Sequence, residues 1–184
     1  MNTPRASASL TLIALAAVGL AACSSLTAGP VGNRSVPAPA KAVDLTRYVG
    51  LWYELARYEN RFERNCEAAT AAYRALPDGA IEVLNSCHKG AVGGPLQVAK
   101  GRASVVAGTQ SAKLKVSFFG PFAGDYWVLD HADDYSWSIV GEPSGRYLWI
   151  LTRQANPDTA TREALQARVQ ALGYDTTLIR QTAH

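Results

Sequence analysis

The chain has 184 residues, 48% of them hydrophobic and 18% charged, enough for one buried core and too few for two. Its formal charge of +3 is spread without a basic run, which argues against nucleic acid as a partner. His88, His131 and His184 are far apart and no Cys-x-x-Cys or His-x-x-x-His spacing occurs, so no metal site or cofactor is expected.

Residues 1–22 read as a targeting segment outside the fold. Arg5 gives a positive start, residues 10–20 an apolar core too short for a stable membrane-spanning helix, and Leu20-Ala21-Ala22-Cys23 a small-residue cleavage site. That tetrapeptide resembles a bacterial lipobox, whose cysteine is acylated and becomes the new N-terminus. The resemblance implies lipidation of Cys23, with enough acyl chains for stable anchoring. Ser24 after the cysteine favours, by the same resemblance, sorting to the outer membrane, with the domain facing the periplasm. Residues 23–42 are small and proline-punctuated with no hydrophobic period, and are expected to form a flexible tether that leaves the domain without a fixed orientation. The folded domain is expected over residues 43–184. Setting Cys23 aside leaves Cys66 and Cys87, an even pair in an oxidising compartment, and a disulfide between them is expected.

Residues 44–64 open the domain. Asp44 caps a short polar turn, Gly50 admits a tight entry into a strand, and Trp52 is placed to close one end of a barrel. Short strands separated by turn residues follow. In the first return strand Ala71 and Tyr73 share an inward face with Ala69 and Ala75; after Pro77-Asp78-Gly79, Val83 and Asn85 face inward with Ile81. Asn85 is a polar group in an apolar setting, either pinned by a local hydrogen bond or in contact with a ligand. Residues 96–107 put Ala103, with Ala99, Gly101 and Val105, on the inner side and Lys100 and Arg102 outside.

Leu114, Val116 and Phe118 then alternate with Lys113, Lys115 and Ser117, apolar inside and charged outside. Residues 120–124 form a loop, and Tyr126 and Val128 face inward on the next strand. Trp137 and Ile139 alternate with Ser136 and Ser138 and are assigned to the lumen. In residues 146–153 both faces are apolar, so the outside of that strand needs a cover. A helix over residues 159–172 supplies it, with Asp158 as N-cap, Gly173 as stop and Leu165, Val169 and Leu172 as its apolar stripe. Residues 176–180 are expected to add a short strand.

Gly50-x-Trp52, the run Lys115-Val116-Ser117-Phe118-Phe119-Gly120-Pro121-Phe122, Gly124-Asp125-Tyr126 and Tyr147-Leu148-Trp149-Ile150-Leu151-Thr152-Arg153 resemble, in that order, the signatures of the lipocalins, in their bacterial lipoprotein and apolipoprotein D-like branch. The resemblance spans about residues 44–180. It implies an all-β fold: an eight-stranded antiparallel up-and-down barrel with a flanking C-terminal helix. It also implies that Arg153 stacks across Trp52 at the closed end, a structural role, and that the lumen takes fatty acids or lysophospholipids in the bacterial envelope. Two alternatives stay open: a lipid-modifying enzyme, for which Glu54 is the one carboxylate to watch, and an envelope interaction protein whose aromatic residues fill the barrel. No Gly-x-Ser-x-Gly elbow is present, and no catalytic residues are assigned.

Overall fold

The structure, a computed structural model, describes residues 29–184. The expected targeting segment and Cys23 lie outside the described residues. A single turn of helix, α1 (Leu45–Tyr48), begins at Asp44, whose carboxylate accepts the Thr46 amide at 2.9 Å. Gly50 then adopts φ of +98°, a conformation that strains any side chain, and turns the chain into the first strand.

The strands run β1 (Gly50–Tyr58), β2 (Cys66–Ala75), β3 (Ile81–Lys89), β4 (Leu96–Val105), β5 (Lys113–Phe119), β6 (Phe122–His131), β7 (Trp137–Gly141) and β8 (Leu148–Thr152). Each pairs antiparallel with the next, and β1 pairs with both β2 and β8. Eight strands therefore close into an up-and-down barrel, which removes the free edges that would recruit other chains. The β5–β6 hairpin is tighter than expected, since β6 already starts at Phe122.

Register decides which side chains look inward. Trp52 lies opposite Ala71, Ala71 opposite Asn85 and Asn85 opposite Ala99, so one row of four crosses the inner face. Two main apolar cores result, separated by the barrel wall, beside a small cluster of Cys66, Ala69 and Cys87. The inner one joins Trp52, Val83, Ala103, Leu114, Val128 and Val140. The outer one joins Leu55, Leu129, Ile139, Leu148 and Ile150 to Leu165 and Val169 of the helix α2 (Thr159–Ala171). Asp158 caps that helix, accepting the Thr161 amide at 2.7 Å, and Gly173 ends it with φ of +87°. A 3-10 turn over Thr176–Leu178 leads to β9 (Ile179–Gln181), which pairs with β1.

Two expectations are corrected here. Trp137 and Ile139 do not face the lumen. They belong to the outer core, and the inward positions of β7 are Ser138 and Val140. The helix makes the outside of this wall as apolar as the inside, so hydrophobicity alone did not mark the lumen face. The tether expectation also fails for residues 29–42. Gly32 and Asn33 donate their amides to Gly145 O at 2.9 and 3.2 Å, Asp175 donates to Gly32 O at 2.9 Å, and Asn33 Nδ2 donates to Leu172 O at 2.9 Å. Further along, Lys41 Nζ donates to His131 O at 2.8 Å and Val43 N to Gln110 O at 2.9 Å. These attachments are made mostly by backbone groups, which is why no hydrophobic period announced them. Among the described residues no helix is long and apolar enough to cross a membrane.

Candidate functional site

The barrel has one closed end and one open end. At the closed end Trp52 is fully buried and donates Nε1 to Tyr48 O at 2.8 Å. The Arg153 guanidinium lies over its ring, 3.7 Å from the centroid. Its two terminal nitrogens donate to Leu51 O at 2.6 Å, Arg47 O at 2.9 Å, Val49 O at 3.1 Å and Tyr48 O at 3.2 Å. Arg153 thus binds the backbone of α1 to the start of β1, using the fixed fork that lysine lacks. Gly50, Trp52 and Arg153 lie together at this end of the barrel.

Above this plug sits a floor of three tyrosines. Tyr48 from α1, Tyr73 from β2 and Tyr126 from β6 converge, with the Tyr126 hydroxyl 2.9 Å from each of the other two and the Tyr48 hydroxyl 3.0 Å from Ser138 Oγ. Burial raises the Tyr48 hydroxyl to about 12, and burial likewise raises Tyr73 and Tyr126, so all three stay neutral. The space left among Tyr48, Tyr73, Ile81, Ala103, Leu114, Val116 and Tyr126 is only about 10 Å³. The small residue Ala103 therefore does not widen the cavity at this level; tyrosine rings occupy the room it leaves.

Toward the open end the lumen changes character. Ala99 and Gly124 point inward by register, yet both are exposed. Phe118 lies over Gly101, so tightly that a Cβ there would approach its ring to 2.8 Å. Asn85 Oδ1 is buried with no hydrogen-bond partner among the described residues. Ala71, Val83, Leu114, Val116 and Val128 lie on the inner face. Above the tyrosine floor the inner face toward the open end thus carries small side chains, with the Asn85 oxygen as a buried acceptor that has no partner among the described residues.

The rim of the open end is closed on one side by the segment between β1 and β2. Trp149 Nε1 donates to Glu63 at 2.8 Å, and Asn60 donates to the same oxygen at 2.6 Å while accepting the Phe62 and Glu63 amides. The Cys66–Cys87 disulfide ties this segment's end to β3, with Cα atoms 5.4 Å apart. Beneath it, Arg57 is fully buried and donates to Glu54 at 2.6 Å, to Glu63 O at 2.8 Å and to Thr182 Oγ1 at 3.2 Å. Pairing of Glu54 with Leu151 and of Arg57 with Trp149 puts both on the inner side of β1. Burial and the nearby Glu63 charge push Glu54 up to about 8, against the opposing pull of Arg57 and Thr182.

Glu54 therefore faces inward but is engaged rather than free to attack or relay. The three histidines have ring nitrogens against backbone carbonyls: His88 at Gly94 O, His131 at Ala132 O and Ala42 O, and His184 at Glu54 O. Tyr48, Arg57 and Ser138 were missed by sequence reasoning. Tyr48 precedes the first strand, and a polar or charged residue gives no inward signal in an alternation count.

The profile of the lipocalin-like domain matches residues 43–184. The chain belongs to the lipocalin family. The outer membrane lipoprotein Blc of Vibrio cholerae is 37% identical over 161 residues, covering 87% of this chain and 94% of that protein. Blc of Escherichia coli K12 is also 37% identical, over 166 residues and 90% of each chain. Among solved structures, insecticyanin of the tobacco hornworm superposes with a TM-score of 0.64 at 19% identity, covering 86% of this lipocalin and 87% of that chain. At that identity the likeness speaks for the barrel alone.

Proposed function

We propose that this lipocalin binds a single-chain amphipath, a fatty acid or lysophospholipid, with its tail in the open cup and its headgroup at the rim, and releases it unchanged. The carrying observation is the contrast inside the barrel: inward-facing Ala99 and Gly124 are exposed, while the inner residues below them are sealed by the tyrosine floor. Burial of about 0.8 kcal/mol per methylene makes a tail of ten methylenes worth roughly 8 kcal/mol before binding costs, the main favourable contribution to seating it. A tail of that length reaches the floor and displaces Tyr73 or Tyr126, so chain length is read by the cost of moving those rings. The unpartnered Asn85 oxygen accepts a hydrogen bond from a hydroxyl or a protonated carboxyl near the cup wall.

Acylation of Cys23 and residence at the outer membrane belong to the same proposal, supported by the lipobox resemblance and by relatives named as outer membrane lipoproteins. The engaged Glu54 and histidines favour binding over turnover.

The test is titration of the purified chain with fatty acids and lysophospholipids, followed by tryptophan fluorescence, with native mass spectrometry of the complexes. Saturable one-to-one binding with intact lipid is the expected result. A cleaved lipid would return attention to Glu54. Absence of binding across both classes would favour the filled-barrel reading that the 10 Å³ lower lumen already allows.

A further inference from the structure

The four most exposed large apolar side chains among the described residues are Phe122, Phe119, Phe62 and Leu96, at 79%, 78%, 62% and 60%. All four sit at the open end: Phe62 between β1 and β2, Leu96 at the start of β4, and Phe119 and Phe122 at the tip of the β5–β6 hairpin. Phe62 stacks on Tyr147, and none of the four belongs to either apolar core.

The charges around it are unevenly used. Glu59 pairs with Arg57 and Arg180, and Glu67 pairs with Arg180. Glu63 accepts from Trp149 and Asn60, and Glu142 from Ser144 and the Arg146 and Tyr147 amides. By contrast Arg61 and Arg64 are exposed and make no salt bridge among the described residues; Arg61 lies over the Phe62 ring at 4.8 Å. The mouth therefore offers aromatic side chains and unpaired guanidinium groups, with its carboxylates already occupied. That combination suits a bilayer interface, where phosphates lie above acyl chains.

A second observation comes from the path of the chain. Gly29 lies beside this same mouth, its carbonyl accepting from Arg146 between β7 and β8 and its backbone close to Glu59 O. From there residues 30–42 run down the outside of the barrel to Val43 at the closed end. Cys23 precedes Gly29 by six residues, a reach of at most about 20 Å when fully extended. An acyl anchor at Cys23 thus holds the mouth, not the closed end, next to the membrane.

We propose that the barrel docks mouth-down on a lipid bilayer, with Phe62, Leu96, Phe119 and Phe122 at its interface and Arg61 and Arg64 against lipid phosphates. The cup then opens onto the bilayer, and an amphipath passes between the two without crossing bulk water. The held orientation rests on the acylation proposed above; the chemistry of the rim does not.

The experiment uses the full chain, expressed and processed in a bacterium, reconstituted into phosphatidylethanolamine and phosphatidylglycerol vesicles that carry brominated acyl chains. Phe122→Trp places an indole at the rim and Leu51→Trp places one at the closed end, each compared with the unsubstituted chain and its four tryptophans. Bromine is expected to quench the rim indole several-fold more than the closed-end one. Equal quenching, or none at the rim in protein that floats with the vesicles, overturns the mouth-down pose. Protein that fails to float overturns the acylation reading, and the held orientation with it.

Discussion

At the closed end of the barrel Trp52 has no exposed surface and Arg153 donates to a row of backbone carbonyls, whereas at the open end Phe119 and Phe122 are 78% and 79% exposed. The same hydrogen-bonded strands run through both. What differs is the work asked of the side chains: the closed end is satisfied within the protein, and the mouth leaves apolar surface and cations that are unpaired among the described residues. Stability should therefore be concentrated at one end and interaction at the other.

The largest expected effect breaks the closed end. Trp52→Ala removes the plug and the ring beneath Arg153, and should cost about 3–5 kcal/mol in urea unfolding. A loss under about 1 kcal/mol would show that the barrel is held elsewhere. Next comes the covalent tie at the mouth. Replacing both Cys66 and Cys87 by serine opens a loop with a sequence separation of 21 residues, worth about 3 kcal/mol through the unfolded chain. Ligand affinity should fall along with stability, because the bridge steadies the segment that carries Glu63.

Glu54 lies between the two regions and makes a pH-dependent prediction. Its carboxyl is raised from 4.5 to about 8, chiefly by burial. The fold holds the proton more tightly than the unfolded chain does, so this contribution to stability is complete well below pH 4.5, declines as pH rises, and is gone above pH 8. Between pH 4.5 and 6 the contribution falls by about 2 kcal/mol. Glu54→Gln cannot lose a proton and should flatten that part of the profile, as read by denaturant midpoints at several pH values. If the substituted and unsubstituted chains keep a constant difference, Glu54 is ionised beside Arg57 throughout.

Much of the closed end was legible in the chain, because Gly50, Trp52 and Arg153 are residues whose geometry admits few substitutes. The strands were legible where one face meets water, as in Lys113 to Phe118, since alternation then carries the signal. It failed where α2 covers the outside: Trp137 and Ile139 look like lumen residues only until a second core is found behind them. The floor was half legible. Tyr73 and Tyr126 followed from alternation, but Tyr48 arrives from a helical turn that alternation does not describe. Residues 29–42 were misread because glycine, asparagine and backbone amides hold them, and such contacts leave no mark in composition.

The smallest expected change in stability tests the mouth. Phe119→Ser with Phe122→Ser should leave the unfolding free energy within about 0.5 kcal/mol of the starting value, because side chains already in water lose no burial when shortened. A loss of 2 kcal/mol or more would mean that these rings pack onto the barrel in solution, and the division between a stabilising end and an interacting end would collapse. If stability holds while transfer of fatty acid from vesicles slows, the exposed rings serve the encounter with lipid rather than the fold. Their cost in water, an apolar patch on an otherwise sealed barrel, is then offset only where a bilayer is present, which ties the mouth's chemistry to the anchoring proposed for Cys23.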